Sequence, residues 1–247
     1  MRTHVFLITA KTNLHVGNES GGEFSIIDKS IQRDPLTNLP CINSSSLKGS
    51  VKEFCVHRNE ELKKDNKAII PVKELFGSDV DPKTGKVLPD NQKGSAIIFD
   101  AKLLYLPQQD NNTLYHLETT ANVVEMMNNR IKLFDSSFNY AVVNSIGNKP
   151  VIVLADNDQE TASKQFETKC SNDNLPIIAR NVLENGESKN LWYEQVLPAE
   201  TVLYTIIQEK DGDYLKNALH GKIVQIGANA TIGYGYCLFE CISTKEG

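Results

Sequence analysis

Residues 4–12, HVFLITAKT, place apolar side chains on both faces of an extended strand, with Val5, Leu7 and Thr9 on one and Phe6, Ile8 and Ala10 on the other. A strand with one wet face alternates apolar and polar residues, so this pattern requires a central strand covered on both sides. The segments TVLYTIIQ (201–208) and YGYCLFECI (234–242) read as further apolar strands near the other end of the chain. The sheet is therefore built from distant parts of the sequence. Between them, SSSLKGSVKEFCVHRNEEL (44–62) is a clear helix. Leu47, Val51, Phe54 and Cys55 form its apolar stripe, and Ser44 to Ser46 are expected to cap it.

The other segments fill in an α+β pattern. SAIIFDAKLLYL (95–106) is a strand, a short helix is expected around Val123 to Met127, and 146–156 reads as strand and turn. Residues 157–174 are polar and weakly patterned. Two apolar-containing arms flank Glu184-Asn185-Gly186-Glu187-Ser188, which predicts a β-hairpin over 177–195. DYLKNALHG reads as a short helix closed by Gly221, and KIVQIG as a strand. Strands bracketing one or two helices, with long loops, point to a ferredoxin-like β-α-β-β-α-β core. No repeat or linker divides the chain, so 1–247 reads as a single domain. Residues 77–94, rich in Gly, Pro and polar groups, read as a mobile insertion.

Composition narrows the function classes. At 247 residues with 40% hydrophobic content and a formal charge of −5, the chain can bury a large core and is not disordered as a class. No apolar stretch approaches the roughly 20 residues of a membrane helix. The run from Val5 to Ala10 is too short for a signal-peptide core, so a cytoplasmic protein with no membrane partner is expected. Five scattered cysteines with no C-x-x-C pair argue against a zinc ribbon or a disulfide framework. With 26 basic and 31 acidic residues, any nucleic-acid site must be a local cluster.

Four regions carry candidate chemistry. In SSSLKG, the helix N-terminus offers free N–H groups, Ser46 and Lys48 lie in the first turn, Gly49 admits a close backbone, and Lys52 lies one turn on. This suits a phosphate, or simply a capped surface helix. In IGANATIGYG (226–235), Gly227, Gly233 and Gly235 allow positive φ, which suits either a phosphodiester cradle or a tight turn. The long loop after the first strand holds His15, Asp28, Arg33 and Asp34. A carboxylate near a histidine can serve general acid–base or Mg²⁺ chemistry, although Asp34-Pro35 reads as turn initiation. Trp192 and Tyr193 on the hairpin are either a stacking pair for bases or, for Trp192, core.

The ordered blocks LHVG, IIDKSIQRDPLTNLPCINSSSLKGSVKEF, LFGS, GSAIIFDAKLL, LWYEQVLPAETVLY and QIGANATIGYGY resemble the RAMP superfamily. More narrowly, they resemble the repeated backbone subunit of type III-B (Cmr) CRISPR effector complexes. The resemblance spans nearly the whole chain. SSSLKG and QIGANATIGYG mark the superfamily, and LWYEQVLPAET points to the III-B subunit.

That resemblance implies a modified RNA-recognition-motif fold with an inserted hairpin thumb at 177–195. It implies copies stacked in a helical filament on guide CRISPR RNA, beside other type III-B subunits. Target single-stranded RNA is then cut at regular intervals in a reaction dependent on Mg²⁺ or another divalent cation. The family's loop aspartate falls on Asp28, as catalytic residue and metal ligand, and its histidine on His15. Lys48 and the glycines of the second block fall where guide phosphates are held, with Ser46, Gly49, Lys52 and Arg33 nearby. Binding of this kind is salt-sensitive. Two departures stand out beside a somewhat short chain: Ser44 replaces a frequent glycine, and Asp34 a frequent Glu. The alternatives are a scaffold that binds guide RNA without cutting and a stand-alone guide-processing ribonuclease. The presence of Asp28 speaks against the first, and the thumb-like hairpin and LWYEQVLPAET against the second.

Overall fold

The computed structural model describes residues 1–17, 27–78, 93–155 and 159–245. In chain order the elements are β1 (Arg2–Ala10), β2 (Cys41–Ile42), α1 (Ser44–Lys64), α2 (Val72–Phe76), β3 (Ile97–Ile98), β4 (Ala101–Asp110) and β5 (Leu114–Thr120). There follow α3 (Ala121–Lys132), β6 (Ser145–Ile146), β7 (Lys149–Leu154), α4 (Gln159–Lys169), β8 (Ile177–Glu184) and β9 (Glu187–Gln195). The chain closes with β10 (Val202–Glu209), α5 (Tyr214–Leu219), β11 (Lys222–Gln225), a 3₁₀ turn at Ala230–Ile232, and β12 (Tyr236–Lys245). Most of the insertion expected at 77–94 lies outside the described residues.

One mixed sheet runs β11-β12-β1-β10-β4-β5-β7-β6, with β2 added on β4 and β3 on β10. β1 is antiparallel to both its neighbours, β12 and β10. Its central place explains the two-faced apolar pattern: every residue from Thr3 to Ala10 is buried. Phe6 meets Phe239 of β12 edge to face, with ring centroids 6.0 Å apart. Leu47, Val51 and Cys55 of α1 join this core, and Phe54 is only partly buried against it. Each large side chain removed from water here contributes about 1.5–3 kcal/mol.

Three local features depart from the sequence pattern. First, α1 is capped differently. The residue before it is Asn43, whose side chain makes no cap bond, and the Ser44 N–H donates to Asp100 Oδ1 at 2.8 Å. A carboxylate from a distant segment takes the role expected of the serines. Second, the polar stretch after 157 holds α4. Among its described side chains this helix buries Ala162 and Phe166 alone, followed by Cys170 just past its end, a stripe too sparse to give a period. Third, β4 continues through Pro107 to Asp110 and turns back into β5. α3 starts at a conventional cap, where Thr120 Oγ1 accepts from the Val123 N–H at 3.2 Å. No described helix is long and apolar enough to cross a membrane.

Candidate functional site

β8 and β9 form a separate two-stranded sheet, turned by Asn185 and Gly186 at φ 52° and 85°, the left-handed pair of a tight hairpin turn. In its register Arg180 faces Trp192 and Ile178 faces Glu194, so Trp192 and Glu194 share one face. The opposite face carries Ile177, Ala179, Leu191 and Tyr193, all exposed.

The segment around Asp28 is strapped to the base of this hairpin. The Asp28 and Lys29 N–H groups both donate to the Tyr193 carbonyl at 3.1 Å, and the Gln195 N–H donates to the Lys29 carbonyl at 2.9 Å. The Tyr193 N–H in turn donates to Asp28 Oδ2 at 2.7 Å. The Asp28 side chain is thus held at a solvent-exposed position by backbone 165 residues away in sequence.

Glu194 lies beneath the strap and is 1% exposed at its side chain. Its Oε1 accepts from Trp192 Nε1 at 2.7 Å and Lys29 Nζ at 3.2 Å, and its Oε2 accepts from Asn229 Nδ2 at 2.8 Å. Burial alone would push this carboxyl up. The Trp192 indole N–H, the Lys29 ammonium and the Asn229 amide outweigh that and hold it below its ordinary value. The Lys29 ammonium also sits over the Trp192 ring, 5.0 Å from its centroid. Trp192 is therefore neither core nor free: it is half-buried and clamped at its nitrogen.

His15 is close by but sequestered, at 2% exposure. Its Nδ1 lies 2.7 Å from the Gln195 carbonyl. A carbonyl only accepts, so Nδ1 carries a proton and donates it. His15 as placed supports the strap rather than meeting a solvent-borne substrate. Its own carbonyl accepts from the Ala228 N–H at 3.0 Å, which joins the glycine loop to the same unit.

That loop needs its glycines for packing at two of three positions. A Cβ on Gly227 would stand 2.2 Å from the His15 carbonyl oxygen, and one on Gly235 2.0 Å from that of Ile226. Both also hold positive φ, 80° and 78°. Gly233, at φ 86°, faces open space. The cradle reading therefore rests on Gly233 alone among the three side-chain positions, while Gly227 and Gly235 seat the loop against its own protein.

The helical motif is coupled to the strap through Gln32. Gln32 Nε2 donates to Ser46 Oγ at 3.0 Å and to the Gly17 carbonyl at 3.2 Å, and its Oε1 accepts from the Asn43 N–H at 2.7 Å. Ser46 is thereby engaged internally. Lys48 lines a cleft of 540 Å³ with Ser44, Ser45, Lys93 and Ser95. Gly49 meets nothing within 4 Å, and Lys52 is half-exposed one turn on. Arg33 points elsewhere: its guanidinium donates to Asn172 Oδ1 at 3.0 Å and to the Asn38 carbonyl at 2.8 Å, and burial lowers its pKa. Asp34 makes the turn expected of Asp-Pro, accepting from the Leu36 and Thr37 N–H groups, and pairs with Lys102. Among the described residues, no group of three His, Cys, Asp or Glu side chains is arranged to hold a metal ion.

The structure thus gathers Asp28, His15, Trp192, Tyr193 and Gly227 in one place and sets Lys48, Gly49 and Lys52 on the adjoining helix. Glu194, Gln195, Gln32, Lys29 and Asn229 complete it and had not been singled out from the sequence. Period-two alternation from Trp192 would have found Glu194. Nothing local marks Gln32 or Asn229.

The sheet, the β8–β9 hairpin and the loops at one end of the sheet are the setting of this site. The chain belongs to the RAMP superfamily, whose family model matches residues 7–238. The CRISPR system Cmr endoribonuclease Cmr4 of Pyrococcus furiosus is 25% identical to it, over 96% of this chain and 94% of the relative. In fold it is similar to a chain of type III-B Cmr-beta in the apo state, with a TM-score of 0.73, 18% identity, and 98% and 97% of the two chains covered. It is also similar to a chain of type III-B Cmr-beta bound to cognate target RNA, with a TM-score of 0.70, 18% identity, and 97% and 96% covered.

Proposed function

We propose that this chain is a guide-RNA-binding backbone subunit of a type III-B CRISPR effector, repeated in a filament, and that it cuts target RNA with Asp28. The observation that carries the reading is the strap: an exposed carboxylate held at the base of a projecting hairpin by Tyr193 N–H. The similarity to Cmr4 over 96% of the chain supports the same reading. Taken alone, β12, β1, β10 and β4 follow the spatial order 4-1-3-2 of a ferredoxin-like core, with α1 and α5 as its two helices. The β8–β9 hairpin serves as the thumb.

In this chemistry the 2′-hydroxyl of one target nucleotide attacks the adjacent phosphorus. The O2′–P bond forms, the P–O5′ bond breaks, and a cyclic phosphate and a 5′-oxyanion result, the latter taking a proton from water to give the 5′-hydroxyl. Asp28 accepts the 2′ proton, or orients that hydroxyl, and an RNA chain bent over the hairpin base gives the in-line approach. His15, buried behind the strap, acts by fixing the Gln195 carbonyl. Lys48 and Lys52 supply local positive charge for guide phosphates at the α1 N-terminus. The exposed Tyr193, with Trp192 clamped beneath, offers a stacking surface.

A divalent cation fits this arrangement as one shared with RNA, because Mg²⁺ commonly takes one or two carboxylates together with substrate phosphates and water. Asp28 would be its protein ligand. When bound, the ion would offset the charge that develops on the phosphate oxygens. Glu194 is unsuited to this role, with both oxygens already engaged.

The test is target-RNA cleavage by the reconstituted complex in Mg²⁺, comparing wild type with Asp28→Ala. Loss of regularly spaced cuts with guide and target binding intact supports the reading. Undiminished cutting by the variant overturns it in favour of a guide-binding scaffold.

A further inference from the structure

We infer that Asn229 is a positioning residue, and that a relay running Asn229–Glu194–Lys29, buried at its central carboxylate, sets the geometry of the Asp28 strap from the glycine loop. The inference rests on the proposed role of Asp28 and adds to it a dependence on the loop 35 residues beyond Glu194.

Three elements meet at Glu194 and share no continuous backbone: the strap, the hairpin base and the glycine loop. Glu194 bonds to each of them, through Lys29, Trp192 and Asn229 respectively. The carboxylate is almost fully buried, so its acceptors have no water to fall back on, and losing a donor is costly. Asn229 is suited to its end of the relay. Its φ of 67° is a left-handed conformation that Asn tolerates, and this turn brings Nδ2 to Glu194. The same loop reaches the strap by a second path, in which the Ala228 N–H meets the His15 carbonyl and His15 Nδ1 meets the Gln195 carbonyl. A shift of the loop is thus transmitted to the residues on either side of the Tyr193–Asp28 bond. A ligand that seats on the loop would bias the strap accordingly.

Exchanging the donor and the acceptor tests the relay. Asn229→Asp keeps the backbone conformation but sets a second carboxylate against the buried Glu194. Glu194→Gln alone is mild, because Asn229 can turn its amide over and accept. In the double variant the new amide at 194 donates to the new carboxylate at 229, so the bond returns with its polarity reversed. In the reconstituted complex, Asn229→Asp should slow single-turnover target cleavage roughly ten- to a hundredfold at saturating target. Guide retention and target affinity should hold, and the double variant should recover most of the rate.

Amide hydrogen exchange on the isolated chain supplies a readout that does not need cleavage. Asn229→Asp should speed exchange at Asp28, Lys29 and Tyr193, and the double variant should restore protection. Unchanged protection and an unchanged rate in Asn229→Asp would overturn the relay. If wild type does not cleave but the exchange pattern behaves as described, the nuclease reading fails while the relay stands.

Discussion

Gly227 and Gly233 lie in one loop at nearly the same φ, 80° and 86°, so replacing each by alanine separates conformational strain from packing. Both variants carry the cost of a left-handed residue with a Cβ, about 1–2 kcal/mol. At Gly233 nothing lies within 4 Å, and that cost is the whole effect. At Gly227 the new Cβ would stand 2.2 Å from the His15 carbonyl oxygen, more than an ångström inside ordinary contact, and 3.1 Å from Val16 Cγ2. The His15 backbone must retreat, which breaks the 3.0 Å bond from the Ala228 N–H and disturbs His15 against Gln195. A strained left-handed residue with a backbone clash and a lost hydrogen bond together cost about 3–5 kcal/mol. Urea unfolding followed by tryptophan fluorescence reads this directly, because Trp192 is the chain's single tryptophan and belongs to the same unit. Gly227→Ala should lower the midpoint far more than Gly233→Ala. Equal midpoints would refute the packing argument and return Gly227 to a merely conformational role.

Other outcomes follow from the charges and thiols. Burial pushes the Asp34 carboxyl up, but Lys102 and the Thr37 N–H outweigh it and hold the acid at about 2, against an ordinary 3.8. A depressed acid stabilises the fold above its unfolded pKa and loses that contribution as pH falls through the folded value. Asp34 therefore adds roughly 2 kcal/mol near neutrality, lost between about pH 4 and pH 2. Asp34→Asn keeps the turn acceptor but not the charge, so it should destabilise at pH 7 and flatten the acid limb of a stability–pH curve; an unchanged limb would count against the pair. Burial raises Cys41 to about 11 and Cys55, Cys170 and Cys237 to about 12. Native protein at pH 8 should therefore alkylate with iodoacetamide essentially at Cys241 alone and at all five cysteines once unfolded, as intact mass will show.

The elements were legible in the sequence wherever burial imprints a local period. β1 announced its central place because both its faces are covered, α1 its stripe of Leu47, Val51 and Cys55, and the hairpin its Asn-Gly turn. α4 stayed hidden because few of its positions are buried, and the cap on Ser44 because its acceptor, Asp100, is 56 residues away. For the site, the sequence named Asp28, His15 and the glycine loop through their likeness to a family, but not their arrangement. That arrangement rests on bonds between residues far apart in the chain: Tyr193 to Asp28 across 165 residues and His15 to Gln195 across 180. Local pattern records only whether a side chain is covered. Which backbone covers it is decided when β1, β10 and β12 pair, and that pairing brings strap, hairpin base and loop to one end of the sheet.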